Sequence, residues 1–222
     1  DEQKTPFLSS VFIITSHEPY VIPKAYEGKF DKGNIPMHQC VGYTDNALRN
    51  FFKESHNAPW FENTIFIFTA DHSNQVHYPF YQKTINRFAN PLMIYKPKSE
   101  LKGVDMRLAS HMDIFPTVAD LLDYSKPFKS WGRSLISDQE YHPFVINYFS
   151  GGSYFIMDEN IICVHNGEMA IGFYDINDKN MEKNLIGNKT QKMIDLEKKC
   201  SMYLEDYFES LMSGTGSIQN SH

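Results

Sequence analysis

The sequence has few cysteines, no long apolar run and no excess of basic residues. Its three cysteines, Cys40, Cys163 and Cys200, are far apart and show no CxxC spacing, so they allow one disulfide at most and do not identify a redox compartment. These 222 residues contain no apolar run near the roughly 18 residues of a membrane span and no signal-peptide pattern, which carries no conclusion about the parent protein. With a net charge of -6 and no basic patch, the sequence gives no support to nucleic-acid binding.

The remaining composition is that of an ordinary globular protein. The 222 residues are 41% hydrophobic and 22% charged, which is enough to build one well-buried domain. The high aromatic content of 14% favours a large core over a carbohydrate- or lipid-facing surface. The chain opens with Asp1-Glu2-Gln3 almost directly before an apolar run, so we expect a mature or cut fragment of a longer protein.

The most informative motif is an acid and a histidine that follow a short apolar run. Residues 64–68 are rich in Ile, Phe and Thr and predict a buried strand, and Asp71 and His72 come shortly after it. The carboxyl ends of strands hold ligands in open α/β sheets, and a carboxylate beside a neutral imidazole suits a divalent metal. An Asp at a strand-to-helix turn can instead cap the helix. The dipeptide alone leaves both interpretations open.

Periodicity predicts an α/β chain with a mostly parallel sheet flanked by helices, an antiparallel C-terminal portion and a C-terminal helix. A capping box at Ser110 and Asp113 opens one helix, and Asn166-Gly167 marks a hairpin. We expect one domain over residues 1–213, with an antiparallel subregion at 143–189 and a helix at 190–213, followed by a flexible tail at 214–222. Predicted strands are 7–15, 64–68, 91–95, 144–149, 154–157, 161–165 and 169–174, and predicted helices are 37–55, 110–122 and 190–213.

Six motifs then stand in a fixed order along the chain. They are TSHEPY at 15–20, YTDNALRNFF at 43–52, TADHS at 69–73, SHMDIFPTVADLL at 110–122, WGRSL at 131–135 and FYDIND at 173–178. This series resembles the sulfatase branch of the alkaline-phosphatase-like superfamily. Its nearest likeness is to lipoteichoic-acid-synthase-like phosphoglycerol transferases, and the resemblance spans nearly the whole chain.

The resemblance implies roles for three residues. Asp71 and His72 would be two ligands of the catalytic divalent metal, usually Mn or Mg, with Ca or Zn as further options; their hard oxygen and imidazole nitrogen agree with that choice. His17 would contact the phosphate or the leaving group, where an imidazole can hydrogen-bond a phosphoryl oxygen or shuttle a proton.

Two further residues are weaker candidates for substrate binding. His77 follows His72 by five residues and either points at the substrate phosphate or is an ordinary loop residue. Arg87 follows the same loop and either meets an anionic substrate or is a surface charge.

The sequence departs from the family pattern at the nucleophile. In the resembled enzymes a threonine, or a modified cysteine, follows the first strand near an acidic metal ligand. Here only 16 residues precede His17, Thr5 and Thr15 lack that context, and no Cys-x-Pro-x-Arg signature occurs. We therefore expect the C-terminal half of a catalytic domain, without its nucleophile, acidic ligand and N-terminal membrane helices. Such a fragment should be inactive, hold metal weakly and expose an edge or apolar face that pairs with the missing half or with another copy.

The expected parent is a metal-dependent phosphoglycerol or phosphoryl transferase, or a sulfuric or phosphoric ester hydrolase. Its substrate would be a lipid or glycan ester, and it would be extracytoplasmic and anchored in the membrane through the absent helices. One alternative is a sulfatase or phosphodiesterase that acts on glycan or aryl esters. Another is a non-catalytic module that binds envelope glycans.

Overall fold

Among its described residues, the first compact unit of the chain, Asp1–Gly103, contains two α-helices and two strands. The computed structural model describes residues 5–137 and 142–214, so of the predicted tail 214–222 only Gly214 lies inside the described residues. The elements of the first unit are α1 (Met37–Ser55), β1 (Phe66–Thr69), the short helix α2 (Pro79–Gln82) and β2 (Leu92–Tyr95). The helix predicted at 37–55 and the strands predicted at 64–68 and 91–95 are therefore present, with strand ends shifted by one or two residues.

Aromatic side chains hold α1 against the two strands. The ring centroid of Phe52 lies 5.2 Å from that of Phe66, 6.0 Å from that of Phe68 and 5.7 Å from that of Tyr95. Removing such rings from water contributes up to about 3 kcal/mol each. This packing fixes the direction of β1, so that its last residue, Thr69, leads directly into the Asp-His turn.

Residues 7–15 do not form the predicted strand. They are apolar, yet Leu8 is 93% exposed, Val11 79% and Phe12 75%. A strand needs a hydrogen-bonded neighbour, and the segment finds none among the described residues.

The described strands consequently pair only antiparallel, whereas the sequence predicted a mostly parallel sheet. Residues 66–69 pair with residues 95–92 in antiparallel register. Parallel pairing requires a crossover connection, and α1 was the expected crossover between residues 7–15 and β1. Because residues 7–15 stay unpaired, that parallel pair does not form.

The second unit, Val104–His222, has a four-stranded antiparallel sheet covered by a long helix. Asn166-Gly167 makes the predicted hairpin turn, with Gly167 at a positive φ of 98°. The helix packs on Phe173, which is fully buried together with Cys163 and Cys200. The predicted antiparallel portion and C-terminal helix are confirmed. The elements are α3 (Ile114–Leu121), β3 (Val145–Ser150), β4 (Ser153–Met157), β5 (Ile161–His165), β6 (Ala170–Asp175) and α4 (Gln191–Ser213).

All three cysteines are free and buried. Burial raises the pKa of the Cys200 thiol to about 12 and also raises those of Cys40 and Cys163. They behave as small hydrophobic side chains rather than reactive thiols.

The start of α3 is held by the capping interaction that the sequence predicted. The backbone N–H of Ser110 donates to Asp113 Oδ2 at 2.8 Å, and that of Arg133 donates to Asp113 Oδ1 at 2.9 Å. The hydroxyl of Thr117 accepts from the N–H of Leu135 at 2.9 Å. The DIFPT motif thus anchors the WGRSL motif. Both units mix helices and sheets, as expected of the α/β class, and none of the described helices is long and apolar enough to cross a membrane.

Candidate metal centre

The turn after β1 places two candidate metal ligands side by side. Asp71 Oδ1 accepts the backbone N–H of His72 at 2.9 Å, and Asp71 Oδ2 lies 3.5 Å from His72 Nε2. His72 Nδ1 lies 2.8 Å from the carbonyl oxygen of Ser73. Because a carbonyl only accepts, Nδ1 carries the proton of the neutral imidazole. The Nε2 lone pair is therefore left on the side of the ring nearest the carboxylate.

This pair fits a divalent cation. Two ligand atoms about 2.1 Å from one metal ion lie about 3.0 Å apart in octahedral geometry and about 3.4 Å apart in tetrahedral geometry. The 3.5 Å between Asp71 Oδ2 and His72 Nε2 is close to that range. The bond from Nδ1–H to a backbone carbonyl is the arrangement that usually orients a metal-binding histidine. Both side chains are reachable from solvent, at 60% and 69% exposure.

The described residues do not complete a metal site. Within residues 5–137 and 142–214, no group of three His, Cys, Asp or Glu side chains could hold an ion. Gln75, three residues after His72, has a buried side-chain oxygen without a hydrogen-bond partner in that same part of the chain. The described residues thus offer two candidate ligands at this turn, Asp71 and His72.

The alternative interpretation of Asp71 as a helix cap is wrong. The next helix in the described chain, α2, starts at Pro79 and is preceded by Tyr78 as its N-terminal flanking residue. The Asp71 carboxylate accepts the N–H of its own neighbour, His72.

Two hydrogen bonds connect the turn to other candidate segments. The Ser73 hydroxyl donates to the carbonyl oxygen of Arg87, and Asn74 Nδ2 donates to the carbonyl oxygen of Ser16 at 3.4 Å. Ser16 is the neighbour of His17, so the SHEPY loop and the Arg87 segment both border the turn.

His17 and Arg87 are exposed beside this turn. His17 Nδ1 lies 2.9 Å from the carbonyl oxygen of Glu18, so in the neutral ring Nδ1 carries the proton and Nε2 is left with its lone pair. The side chain of Arg87 is exposed, and its backbone carbonyl accepts the Ser73 hydroxyl of the turn. Both side chains are available to an anionic substrate.

His77 belongs to a different group of side chains. Its Nε2 lies 3.4 Å from Asn34 Nδ2, and its ring centroid lies 5.6 Å from that of His38. Sequence reasoning missed Asn34 and His38, because 43 residues separate Asn34 from His77 and no local pattern joins them.

The sequence is similar to a known protein family and to a known enzyme. Residues 1–124 match the family model for Sulfatase. Lipoteichoic acid synthase 1 of Bacillus subtilis is 28% identical over 155 residues, which cover 60% of this chain and 24% of that protein.

Two solved structures share the fold. A protein in the alkaline phosphatase superfamily from Vibrio parahaemolyticus superposes with a TM-score of 0.67 at 23% identity, covering 88% of this chain and 47% of its own. A Bacteroides thetaiotaomicron protein, solved in work on the metabolism of multiple glycosaminoglycans, gives a TM-score of 0.57 at 19% identity, covering 83% and 48%. The chain thus spans about half the length of these structures and about a quarter of the curated relative.

Proposed function

The chain belongs to the sulfatase family, and from that premise we propose that it is part of a metal-dependent enzyme acting on phosphoric or sulfuric esters. The observation that carries the proposal is the pairing of Asp71 Oδ2 with the Nε2 lone pair of His72 at 3.5 Å. The preferred reaction is phosphoglycerol transfer, which is supported by the likeness to lipoteichoic acid synthase 1.

In this proposal Asp71 and His72 hold Mn or Mg, with Ca or Zn as alternatives. A divalent ion held by Asp71 and His72 would lower the pKa of a nucleophile and offset charge on the group being transferred. His17, which borders the turn through Ser16, contacts the phosphoryl oxygens or the leaving group through its Nε2. Arg87 attracts the anionic ester.

The nucleophile and the remaining metal ligands come from polypeptide beyond this chain. Two observations support that part of the proposal: no group of three His, Cys, Asp or Glu among the described residues could hold an ion, and the apolar segment 7–14 is exposed. We propose that a further part of a longer protein covers this segment, with self-association of two copies as the alternative. The longer protein is extracytoplasmic and membrane-anchored, and its substrate is a lipid or glycan ester.

A sulfatase or phosphodiesterase acting on glycan esters is the second candidate function. It is favoured by the fold shared with the Bacteroides thetaiotaomicron protein. The two candidates differ in the products: transfer of phosphoglycerol from a lipid donor releases the lipid alcohol, whereas hydrolysis of a glycan ester releases sulfate or a phosphate product.

The test is turnover by the full-length gene product with Mn²⁺, using a glycerol-phosphate lipid and a sulfated sugar in parallel. Loss of a metal ligand removes several kcal/mol of transition-state stabilisation, so Asp71→Asn and His72→Gln should each lower turnover at least about 100-fold. Asp45→Asn is the matched control, because Asp45 is exposed on α1 and paired with Arg49 at 3.0 Å.

The 222-residue chain by itself should show no turnover of either substrate. Full activity of Asp71→Asn would overturn the metal role of the turn. Turnover by the isolated chain as a monomer would overturn the proposal that it lacks its nucleophile.

A further inference from the structure

The hairpin turn between β5 and β6 contains the one Asn-Gly pair of the sequence, Asn166-Gly167. Both residues are exposed, and the N–H of Asn166 closes the turn by donating to the carbonyl oxygen of Met169 at 3.1 Å. A Cβ built on Gly167 would meet nothing within 4 Å, so the space beside this residue is open. The turn is therefore accessible to reactions that need water.

The backbone nitrogen of Gly167 faces the lone pair of an imidazole. Its N–H donates to His165 Nδ1 at 3.1 Å, and His165 Nε2 lies 3.2 Å from the hydroxyl oxygen of Ser201. Because Nδ1 accepts, Nε2 carries the proton of the neutral ring. Burial lowers the pKa of His165, which keeps the ring neutral at neutral pH. An imidazole nitrogen in this position can accept the proton of the Gly167 amide.

Two backbone N–H groups hold the side-chain carbonyl of Asn166. Its Oδ1 accepts from the N–H of Glu168 at 2.9 Å and from the N–H of Met169 at 2.9 Å. Donors placed in this way stabilise negative charge that develops on a carbonyl oxygen under attack, as in an oxyanion hole. The Cγ atom of Asn166 is thereby made a better electrophile.

The nucleophile that can reach this carbon is the nitrogen of Gly167. It is connected to Asn166 Cγ through Cβ, Cα and the carbonyl carbon of Asn166, so a bond between the two atoms closes a five-membered ring. The covalent chain keeps the two atoms close, and ring closure needs only rotations within Asn166. The turn thus combines a nucleophile, a proton acceptor and a stabilised carbonyl oxygen.

We propose that Asn166 is a self-modification site, at which the folded hairpin converts the asparagine to aspartate or isoaspartate with His165 as the general base. Gly167 N bonds to Asn166 Cγ while its proton passes to His165 Nδ1, and the N–H groups of Glu168 and Met169 hold the oxyanion. The Cγ–Nδ2 bond then breaks, and the leaving amide takes the proton from His165 and departs as ammonia. Water opens the resulting succinimide at either ring carbonyl.

The modification changes the hairpin in two ways. Either product adds a carboxylate to a turn that already carries Glu168 and that is followed by Ala170, whose N–H donates to Glu197 at 2.9 Å. An isoaspartate also lengthens the main chain by one carbon, which disturbs the hydrogen bond between Asn166 and Met169. The inference goes beyond the proposed function and does not depend on metal binding or catalysis at the Asp71-His72 turn.

The test is incubation of the folded chain at neutral pH, followed by peptide mapping that separates the asparagine, succinimide, aspartate and isoaspartate forms. We expect conversion at Asn166. Asn160 is the internal control, because it is an exposed asparagine before β5 that is followed by the bulky Ile161. It should stay unmodified over the same time. Absence of conversion at Asn166 would overturn the proposal.

His165→Gln tests the general base. A glutamine can still accept a hydrogen bond but is not basic, so the folded variant should convert Asn166 at least about tenfold more slowly. In urea it should match the unchanged chain, because His165 is then no longer held against Gly167. His142→Gln is the matched control, since His142 is exposed in the same unit, and it should leave the rate unchanged. Equal rates in folded His165→Gln and the folded unchanged chain would contradict the assignment.

A second comparison needs no variant and decides the matter if His165→Gln does not fold. The unchanged chain should convert Asn166 faster when folded than in urea, because only the fold holds His165 Nδ1 and the two N–H donors at the reacting atoms. Equal or slower conversion in the folded chain would overturn the proposal.

Discussion

His165 is the one fully buried histidine among the described residues, and its contacts show how a catalytic-looking pair can be structural. Its Nδ1 accepts the backbone N–H of Gly167 at 3.1 Å, and its Nε2 lies 3.2 Å from the hydroxyl oxygen of Ser201. Because Nδ1 accepts, Nε2 carries the proton and donates to the serine. A base that activates a serine must instead accept the hydroxyl proton on an unprotonated ring nitrogen. The His165–Ser201 pair is therefore structural and links β5 to α4.

The buried His165 should make stability depend on pH. Burial lowers the pKa of His165 below its ordinary value of 6.5, against the opposing effect of the Glu197 carboxylate. As the pH falls below 6.5, the His165 imidazole becomes protonated in the unfolded chain while it stays neutral in the folded chain. The free energy of unfolding therefore decreases. Denaturant unfolding of the second unit between pH 7 and pH 5 should show this loss, and His165→Asn should reduce its slope.

His142→Asn is the control for that measurement, because His142 lies in the same unit and is exposed. An unchanged pH slope in His165→Asn would show that His165 binds its proton equally well in the folded and unfolded chain.

The sequence alone identifies some of the candidate site residues and misses others. Asp71 and His72 could be singled out because neighbouring residues at a strand end carry the chemistry. Asn34 and His38 could not, because their relation to His77 exists only after α1 and the 71–78 loop have packed in the same unit. The metal role of Asp71 and His72 stays a prediction until metal binding is measured.

At the scale of elements, the contact between the WGRSL segment and the start of α3 depends on a glycine. A Cβ built on Gly132 would lie 2.0 Å from the backbone oxygen of Met112, a contact that backbone atoms cannot relieve by a rotamer change. Gly132→Ala must therefore push the segment away from Asp113, whose carboxylate accepts the N–H of Arg133.

We expect Gly132→Ala to lower the free energy of unfolding by about 1–3 kcal/mol or more, the usual cost of overpacking. Urea denaturation of the chain followed by circular dichroism measures it. Gly187→Ala is the matched control, since a Cβ there meets nothing within 4 Å, and it should change stability by less than about 0.5 kcal/mol. Equal stabilities of the two variants would contradict the close approach.

Elements with a strong local signal were predictable from the sequence. The helix Met37–Ser55 and the hairpin around Asn166-Gly167 follow from apolar spacing and turn chemistry, and both are confirmed. Residues 7–15 carry as strong an apolar signal as β1 but form no strand. Local composition can specify an extended, apolar segment, whereas pairing depends on a neighbouring strand that composition does not supply.

At the scale of the whole molecule, the candidate chemistry and the largest buried core lie in different units. The Asp71-His72 turn, the SHEPY loop and the group of Asn34, His38 and His77 are all in Asp1–Gly103, and the core around Phe173 is in Val104–His222. The family match over residues 1–124 covers the first unit and the start of the second. The antiparallel sheet lies beyond that match and was recognisable from strand periodicity.

The central claim is that Asp71 and His72 form a divalent-metal site, and the most direct test is the melting temperature of the chain with and without Mn²⁺ or Mg²⁺. A ligand at ten times its dissociation constant adds about 1.4 kcal/mol, or about 3–6 °C for a chain of this size. We predict such a rise for the unchanged chain and for Asp45→Asn, and none for Asp71→Asn or His72→Gln. Because two ligands hold an ion weakly, the titration extends to tens of millimolar metal. An equal rise in all four proteins, or no rise in any at that concentration, would contradict the site.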